Sequence, residues 1–280
     1  MIAAIELGGT KTIVAIGNAA GEMLEQVRFP TSEPNETLGH VTAWLSGRGV
    51  PSAIGIAAFG PINIAPGRKN YGSFLKTPKL GWSGFSLVKA LHSAFPSCEL
   101  ALDTDVNAAA LAEAGGLEDI AYITIGTGIG AGILVGGRLV HGALHSEFGH
   151  LKVPRAAGDE YPGICPFHHD CLEGLASGPA LAARWGRPAH EIPAAHPAWE
   201  MEAWYLAHGI LCLAAIVSPA RVIVGGGVSQ VGGFHARIQR QLATLAAGYF
   251  PPLLEPDFIV PPQYGQEAGI RGALLLAAKA

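Results

Sequence analysis

The chain has 280 residues, of which 49% are hydrophobic and 14% charged, so it carries enough apolar material for a large core and too little charge for a disordered chain. A net charge of -4 without any basic run excludes an electrostatic footprint for nucleic acid. No basic segment followed by an apolar run opens the sequence, so no secretory leader is expected, and the longest apolar run (210–217) is too short for a bilayer. Four cysteines suit a reducing cytoplasm better than a disulfide framework, and the length favours two domains.

Residues 2–7 read as a buried strand, 13–17 as a second and 23–29 as a third, joined by turns at 8–11 and 18–21. The first turn is G-G-T-K. Gly8 and Gly9 let backbone N–H groups approach an anion, Thr10 adds a hydroxyl, and Lys11 adds a charge or is simply solvated. The stretch lacks the spacer and closing G-K-[ST] of a P-loop, and no helix follows it. Residues 38–45 read as a helix and 53–59 as a strand ending in Gly60-Pro61. The stretch 63–82 holds too many Gly and Pro for an element. A loop this long is either functional or a surface excursion. A helix follows at 87–95, with Ser86 as its candidate cap.

A short strand at 100–102 runs into D-T-D-V-N (103–107) and a helix at 108–114. Open α/β folds place ligand groups where a strand ends and a helix begins. Capping would explain one of Asp105 and Asn107 but not three polar groups together; catalysis is the better reading of Asp105, and Asn107 stays open between the two.

From residue 120 the opening pattern returns. I-A-Y-I-T-I-G-T-G-I-G-A-G-I-L-V repeats strand, glycine turn, strand. This repeat argues for two similar α/β domains, each opening with a meander and sharing a cleft. The boundaries are 1–117, with a C-terminal helix in 266–280 packing back on it, and 118–265. The run of Gly126, Gly128, Gly130 and Gly132 is no dinucleotide fingerprint, because a strand follows it rather than a helix.

Residues 147–178 hold E-F-G-H, a loop rich in Gly and Pro, and C-P-F-H-H-D-C-L-E-G. His150, Cys165, His168 and Cys171 supply the two imidazoles and two thiolates of a closed tetrahedral zinc site, with His169 as a spare facing solvent. The bland alternative is a polar loop with two buried thiols. Glu147 and Glu173 flank the ligands, so a metal pinning this loop also fixes two carboxylates, which suggests a polyol site braced by zinc. The other cysteines, Cys98 and Cys212, read as core thiols. Helices are expected at 178–185, 199–217, 234–247 and 268–278, with a Pro-rich turn at 190–197. Strands are expected at 222–224, running into Gly225, Gly226 and Gly227, and at 258–260 on an edge.

Taken together, the motifs E-L-G-G-T-K (6–11), G-P-I (60–62), Y-G-S-F-L-K-T-P-K-L-G-W (71–82), D-T-D-V-N-A-A-A-L-A-E (103–113), T-I-G-T-G-I-G (124–130), E-F-G-H (147–150), C-P-F-H-H-D-C-L-E-G (165–174) and V-I-V-G-G-G-V (222–228) resemble the ROK family of sugar kinases, and within it the zinc-containing bacterial fructokinases. The resemblance covers essentially the whole chain. It implies the actin-like ATPase (ribonuclease H-like) fold, two similar domains around a cleft, and transfer of phosphate from ATP to a hexose, D-fructose before the others. Glucose, mannose or an N-acetylhexosamine are alternatives within the family. A sugar-responsive regulator or a sugar-binding protein without catalysis are alternatives of another class.

By the same resemblance Asp105 takes the place of the general base. Gly60, Asp103, Thr104, Glu147, His150 and Glu173 match sugar-contacting positions. Gly8, Gly9, Thr10 and Lys11 form one phosphate turn and Thr127 and Gly128 the other. Pro179, Gly225, Gly226, Gly227 and Val228 lie by the nucleoside, and His150, Cys165, His168 and Cys171 match the zinc ligands. ATP, magnesium and structural zinc are the implied cofactors, with a cytoplasmic homodimer acting without nucleic acid or membrane. Glu6, where many members carry Asp, and Thr104, where glucose-specific members carry Asn, both point toward fructose.

Overall fold

The structure, a computed structural model, describes residues 1–280 in two compact units. The first comprises Met1–Gly115, His141–His145 and Gln266–Ala280; the second comprises Gly116–Val140 and Ser146–Gly265.

In the first unit the strands β1 (Ile2–Leu7), β2 (Lys11–Gly17), β3 (Met23–Pro30), β4 (Ala53–Ala58) and β5 (Glu99–Thr104) form one sheet in the order β3-β2-β1-β4-β5. β1, β4 and β5 are parallel, while β2 and β3 run antiparallel. The parallel strands are apolar almost throughout because both faces are covered. Ala3, Ile5 and Leu7 point to a core with Val41 and Leu45 of α1 (Pro34–Ser46) and Leu87 and Leu91 of α2 (Leu87–Ala94). Ala4 points the other way, to Ala108 of α3 (Asp105–Glu113) and Ile270 and Leu274 of α8 (Ala268–Ala277). Glu6 shares that second face by strand alternation. The helix α8 lies so close to the sheet and to α3 that a Cβ at Gly55 would enter the Ala273 carbonyl and one at Gly272 the Ala108 carbonyl.

The second unit repeats the topology. β6 (Ile120–Ile125), β7 (Ile129–Val135), β8 (Arg138–Leu139), β9 (Arg221–Gly225) and β10 (Ile259–Val260) are ordered β10-β9-β6-β7-β8. Read from the hairpin side, both sheets run third, second, first, fourth, fifth strand, as the internal repeat predicts. Its core joins Ala121, Ile123 and Ile125 to α4 (Leu172–Ala176), α5 (Gly178–Trp185), α6 (Ala198–Val217) and α7 (Phe234–Ala246). The 20-residue α6 is long and apolar enough to cross a membrane by length and composition alone. Its apolarity serves the core instead: Trp199, Tyr205, Leu206 and Ile210 are fully or almost fully buried.

Several local expectations are also corrected. β5 continues through Asp103 and Thr104, and α3 begins at Asp105, so Thr104 is the cap: its Oγ1 accepts the Asn107 N–H at 3.2 Å. Neither Asp105 nor Asn107 occupies that position. Ser86 stands at the start of α2 without a capping bond, and its Oγ is buried without a partner. Cys98 is buried but Cys212 is exposed, on the outer side of α6. The 63–82 segment contains no helix or strand, yet it is no mere surface excursion, because Phe74 and Trp82 are buried in the first core. The five-residue α4 had no signal beyond its own apolar pair, Leu172 and Leu175.

Candidate functional site

Each unit gathers polar groups at strand ends. In the first, the register aligns Glu6 with Ala57 and Ala57 with Asp103, so the carboxyl ends of β1, β4 and β5 bring Glu6, Gly60 and the Asp103-Thr104-Asp105 turn to one edge. The hairpin turn 8–11 leaves the same strand and is closed by the Gly8 N–H to the Lys11 carbonyl at 3.0 Å. Lys11 is on the surface, donating from Nζ to Gln266 Oε1 at 3.3 Å.

Asp105 opens α3 with its carboxylate accepting the Val106 N–H at 2.9 Å. The surrounding protein displaces water from this carboxyl and pushes it up to about 6, against the opposing pull of backbone N–H groups and of His145. Glu6 is pushed up to about 7, first by burial and then by the Asp105 charge, while Lys11 and the Ile270 N–H pull the other way. One Glu6 oxygen, Oε2, is buried without a partner. Two carboxyls whose protons leave near neutrality at one edge of a parallel sheet suit proton transfer and cation binding. Asp103 is buried, and its Oδ1 accepts from the Thr104 N–H at 2.8 Å and Asn107 Nδ2 at 2.6 Å.

In the second unit His150, Cys165, His168 and Cys171 converge, with ligand atoms all within 4.8 Å of one another. His150 Nδ1 lies 3.8 Å from Cys165 Sγ and 3.5 Å from Cys171 Sγ, and His168 Nδ1 lies 3.7 Å from Cys165 Sγ. Nitrogen and sulfur bound to one tetrahedral zinc stand about 3.6 Å apart, given bonds of about 2.05 and 2.3 Å. The four side chains therefore fit zinc as they stand. The chemistry agrees: burial, and then the neighbouring Cys165 sulfur, push the Cys171 thiol up to about 11, so a thiolate at Cys171 requires a cation beside it.

The local chain is built to hold this knuckle. Cys165 and His169 exchange backbone hydrogen bonds of 3.2 and 2.9 Å, and His169 adopts φ 56, which turns the chain between the two histidines. That conformation is uncommon for a residue with a side chain. Both histidines are exposed, but only His168 directs a nitrogen to the sulfurs. Lys152 braces the loop, donating to Asp170 and to the His168 carbonyl.

The metal cluster is tied to the glycine turn of its unit. Glu173, two residues after Cys171, accepts the Ile129 N–H through Oε2 at 3.0 Å. A Cβ at Gly128 would stand 2.6 Å from that oxygen, so a larger residue there would push the carboxylate aside. Glu147 is half exposed, with Oε2 3.9 Å from His150 Nε2. The start of α5 packs on the same turn: Gly178 donates to the Gly126 carbonyl at 2.8 Å, Ser177 caps the helix and Pro179 follows in its first turn. Gly226, at φ 90, presses on the Ile125 backbone where no Cβ would fit. Thr127, Gly128, Pro179 and the Gly225-Gly226-Gly227-Val228 turn are thereby assembled from three separate segments. Backbone N–H groups at a helix start and in glycine turns suit phosphates.

Sequence reasoning missed the two histidines at 141 and 145, which belong to the first unit. No local pattern marks them. It also missed Lys152 and Asp170, whose spacing of eighteen residues carries no signal.

The ROK family model matches residues 2–280. A fructokinase of Pediococcus pentosaceus is 38% identical over 284 residues, covering 99% of this chain and 97% of the relative. A fructokinase of Zymomonas mobilis subsp. mobilis is 39% identical over 287 residues, covering 98% and 95%. Among solved structures, the ROK hexokinase of Thermus thermophilus superposes with a TM-score of 0.79 at 27% identity, covering 99% of this chain and 97% of that one. The fold is that of the actin-like ATPases.

Proposed function

We propose that this chain, which belongs to the ROK family, transfers the terminal phosphoryl group of ATP to a hexose, and that the hexose is D-fructose, giving fructose 6-phosphate. What carries the reading is a carboxyl, Asp105, held near neutrality at the ends of three parallel strands in a chain that is alike over nearly its whole length to two fructokinases.

Asp105 accepts the proton of the sugar's primary hydroxyl as that oxygen attacks the γ-phosphorus. The bond from phosphorus to the bridging oxygen breaks, and ADP leaves with the electron pair. Positioning and charge stabilisation supply most of the acceleration in such a transfer, and the base adds roughly 10²–10⁴. The turns at 8–11 and 127–128 bind phosphate through backbone N–H groups, and Pro179 with residues 225–228 takes the nucleoside. Gly60, Asp103 and Thr104 are the sugar-binding residues of the first unit, and Glu147, His150 and Glu173 are those of the second. His150 uses Nδ1 toward the thiolates and leaves Nε2 for a sugar hydroxyl, a division its geometry supports.

Zinc on His150, Cys165, His168 and Cys171 would be closed by four protein ligands, so it would order the loop rather than activate water. Magnesium on the nucleotide phosphates would offset their charge, and Glu6, whose Oε2 has no partner, is the residue that would hold it. We place the enzyme in the cytoplasm, where thiolates stay reduced, and take it to be a homodimer by resemblance to the family. Incubation with ATP, magnesium and fructose, followed by phosphorus NMR of the product, tests the reading. Fructose 6-phosphate is expected; a 1-phosphate, or free phosphate without sugar product, would overturn it.

A further inference from the structure

Residues His141–His145 follow β8 in the chain yet pack within the first unit. This short strap grips the ends of two parallel strands. At β5, His141 Nε2 lies 2.8 Å from Asp103 Oδ2. Beyond the end of β4, the Ile62 N–H donates to His145 Nε2 at 3.4 Å, and a Cβ at Gly60 would stand 3.1 Å from the His145 ring. The two histidines thus frame the edge that carries Gly60, Asp103, Thr104 and Asp105.

The carboxylate of Asp103 is at the centre of this arrangement. It is 4% exposed. Its Oδ1 holds the Thr104 N–H and Asn107 Nδ2, the groups that set the first turn of α3. Its Oδ2 accepts from His141, which also stands 3.4 Å from Asn107 Nδ2. A buried carboxylate with each oxygen engaged cannot rotate without breaking one of these bonds, and a hydrogen bond to a charged group is the stronger kind. The turn that presents Thr104 and Asp105 is therefore locked from behind by a residue remote in sequence.

We propose that His141 is a positioning residue: through Asp103 it fixes the Asp103-Thr104-Asp105 turn in the geometry that receives the acceptor sugar. The proposal rests on the sugar-kinase reading of that turn. The raised pKa of His141, caused chiefly by its hydrogen bond to Asp103, is consistent with the pair.

Two measurements test it. In steady-state kinetics, H141L is expected to raise the KM for fructose about tenfold or more, with the KM for ATP within about twofold. H141Q keeps a donor at the Nε2 position and is expected to recover most of the loss. An unchanged fructose KM in H141L, or a loss in H141Q as large as in H141L, would overturn the proposal. The second measurement needs no turnover: imidazole NMR should find His141 titrating above the ordinary value of about 6.5 in the parent chain and falling back in D103N. A His141 that titrates at its ordinary value in the parent chain would also overturn it. A parent chain that phosphorylates no hexose would defeat the functional reading instead, and the NMR result would then decide the pair by itself.

Discussion

Asp105 and Glu6 meet opposite demands at a single edge of the sheet. A general base must be ionised at working pH, yet protein atoms around Asp105 push it up to about 6 and those around Glu6 push it up to about 7. Activity is therefore expected to fall as pH drops through about 6, seen as the acid limb of kcat/KM against pH. D105N should lose roughly 10²–10⁴ of turnover while binding sugar and ATP with nearly unchanged affinity by calorimetry. Near-normal turnover would contradict the assignment. For stability, the sign follows from proton counts. Both carboxyls hold protons more tightly folded than unfolded, so stability falls as pH rises from the unfolded value, 4.5 for Glu6, to the folded one. E6Q removes that cost. It should be more stable than the parent chain above pH 7, by roughly 3 kcal/mol from a shift of this size, and equal to it at pH 4. Denaturant melts at the two pH values check this, and a destabilised E6Q at pH 8 would refute it.

At the scale of elements, the metal knuckle and the glycine turn form a connected set. Cys171 ends the knuckle, α4 begins at Leu172, and Glu173 reaches from α4 to the Ile129 N–H at the close of the turn. Removing zinc should therefore act at two places. The loop 155–170 should become open to proteolysis, and sugar binding should weaken through Glu147 and Glu173. Chelation followed by limited proteolysis and fructose calorimetry measures both. Depleted protein with unchanged cleavage and unchanged sugar affinity would separate the knuckle from the sugar site. C171A should reproduce the depleted state and resist rescue by added zinc, since the tetrahedral set is then incomplete.

At the scale of the whole molecule, much was legible because much is local or repeated. The two sheets share a strand order, and their opening meanders announce themselves by strand, glycine turn, strand. The metal ligands Cys165, His168 and Cys171 fall within seven residues, and Asp103 and Asp105 flank Thr104. What was hidden depends on contacts far apart in sequence. His141 meets Asp103 across 38 residues and His145 meets Ile62 across 83. The boundary of α3 was misplaced because capping by Thr104 and extension of β5 depend on the neighbouring strand, not on local propensity. Cys212 was misread because a helix as apolar as α6 conceals which of its sides is outermost.

Fructose phosphorylation is the claim on which the molecule's parts converge, and one assay reaches it directly. ADP release from ATP and magnesium should be followed on zinc-replete protein with fructose, glucose, mannose and N-acetylmannosamine in parallel. The account predicts a kcat/KM for fructose at least about tenfold above the others, the size expected from one differential hydrogen bond to a substrate hydroxyl. A preference for an aldose would contradict the assignment of fructose while leaving the fold, the metal knuckle and Asp105 in place.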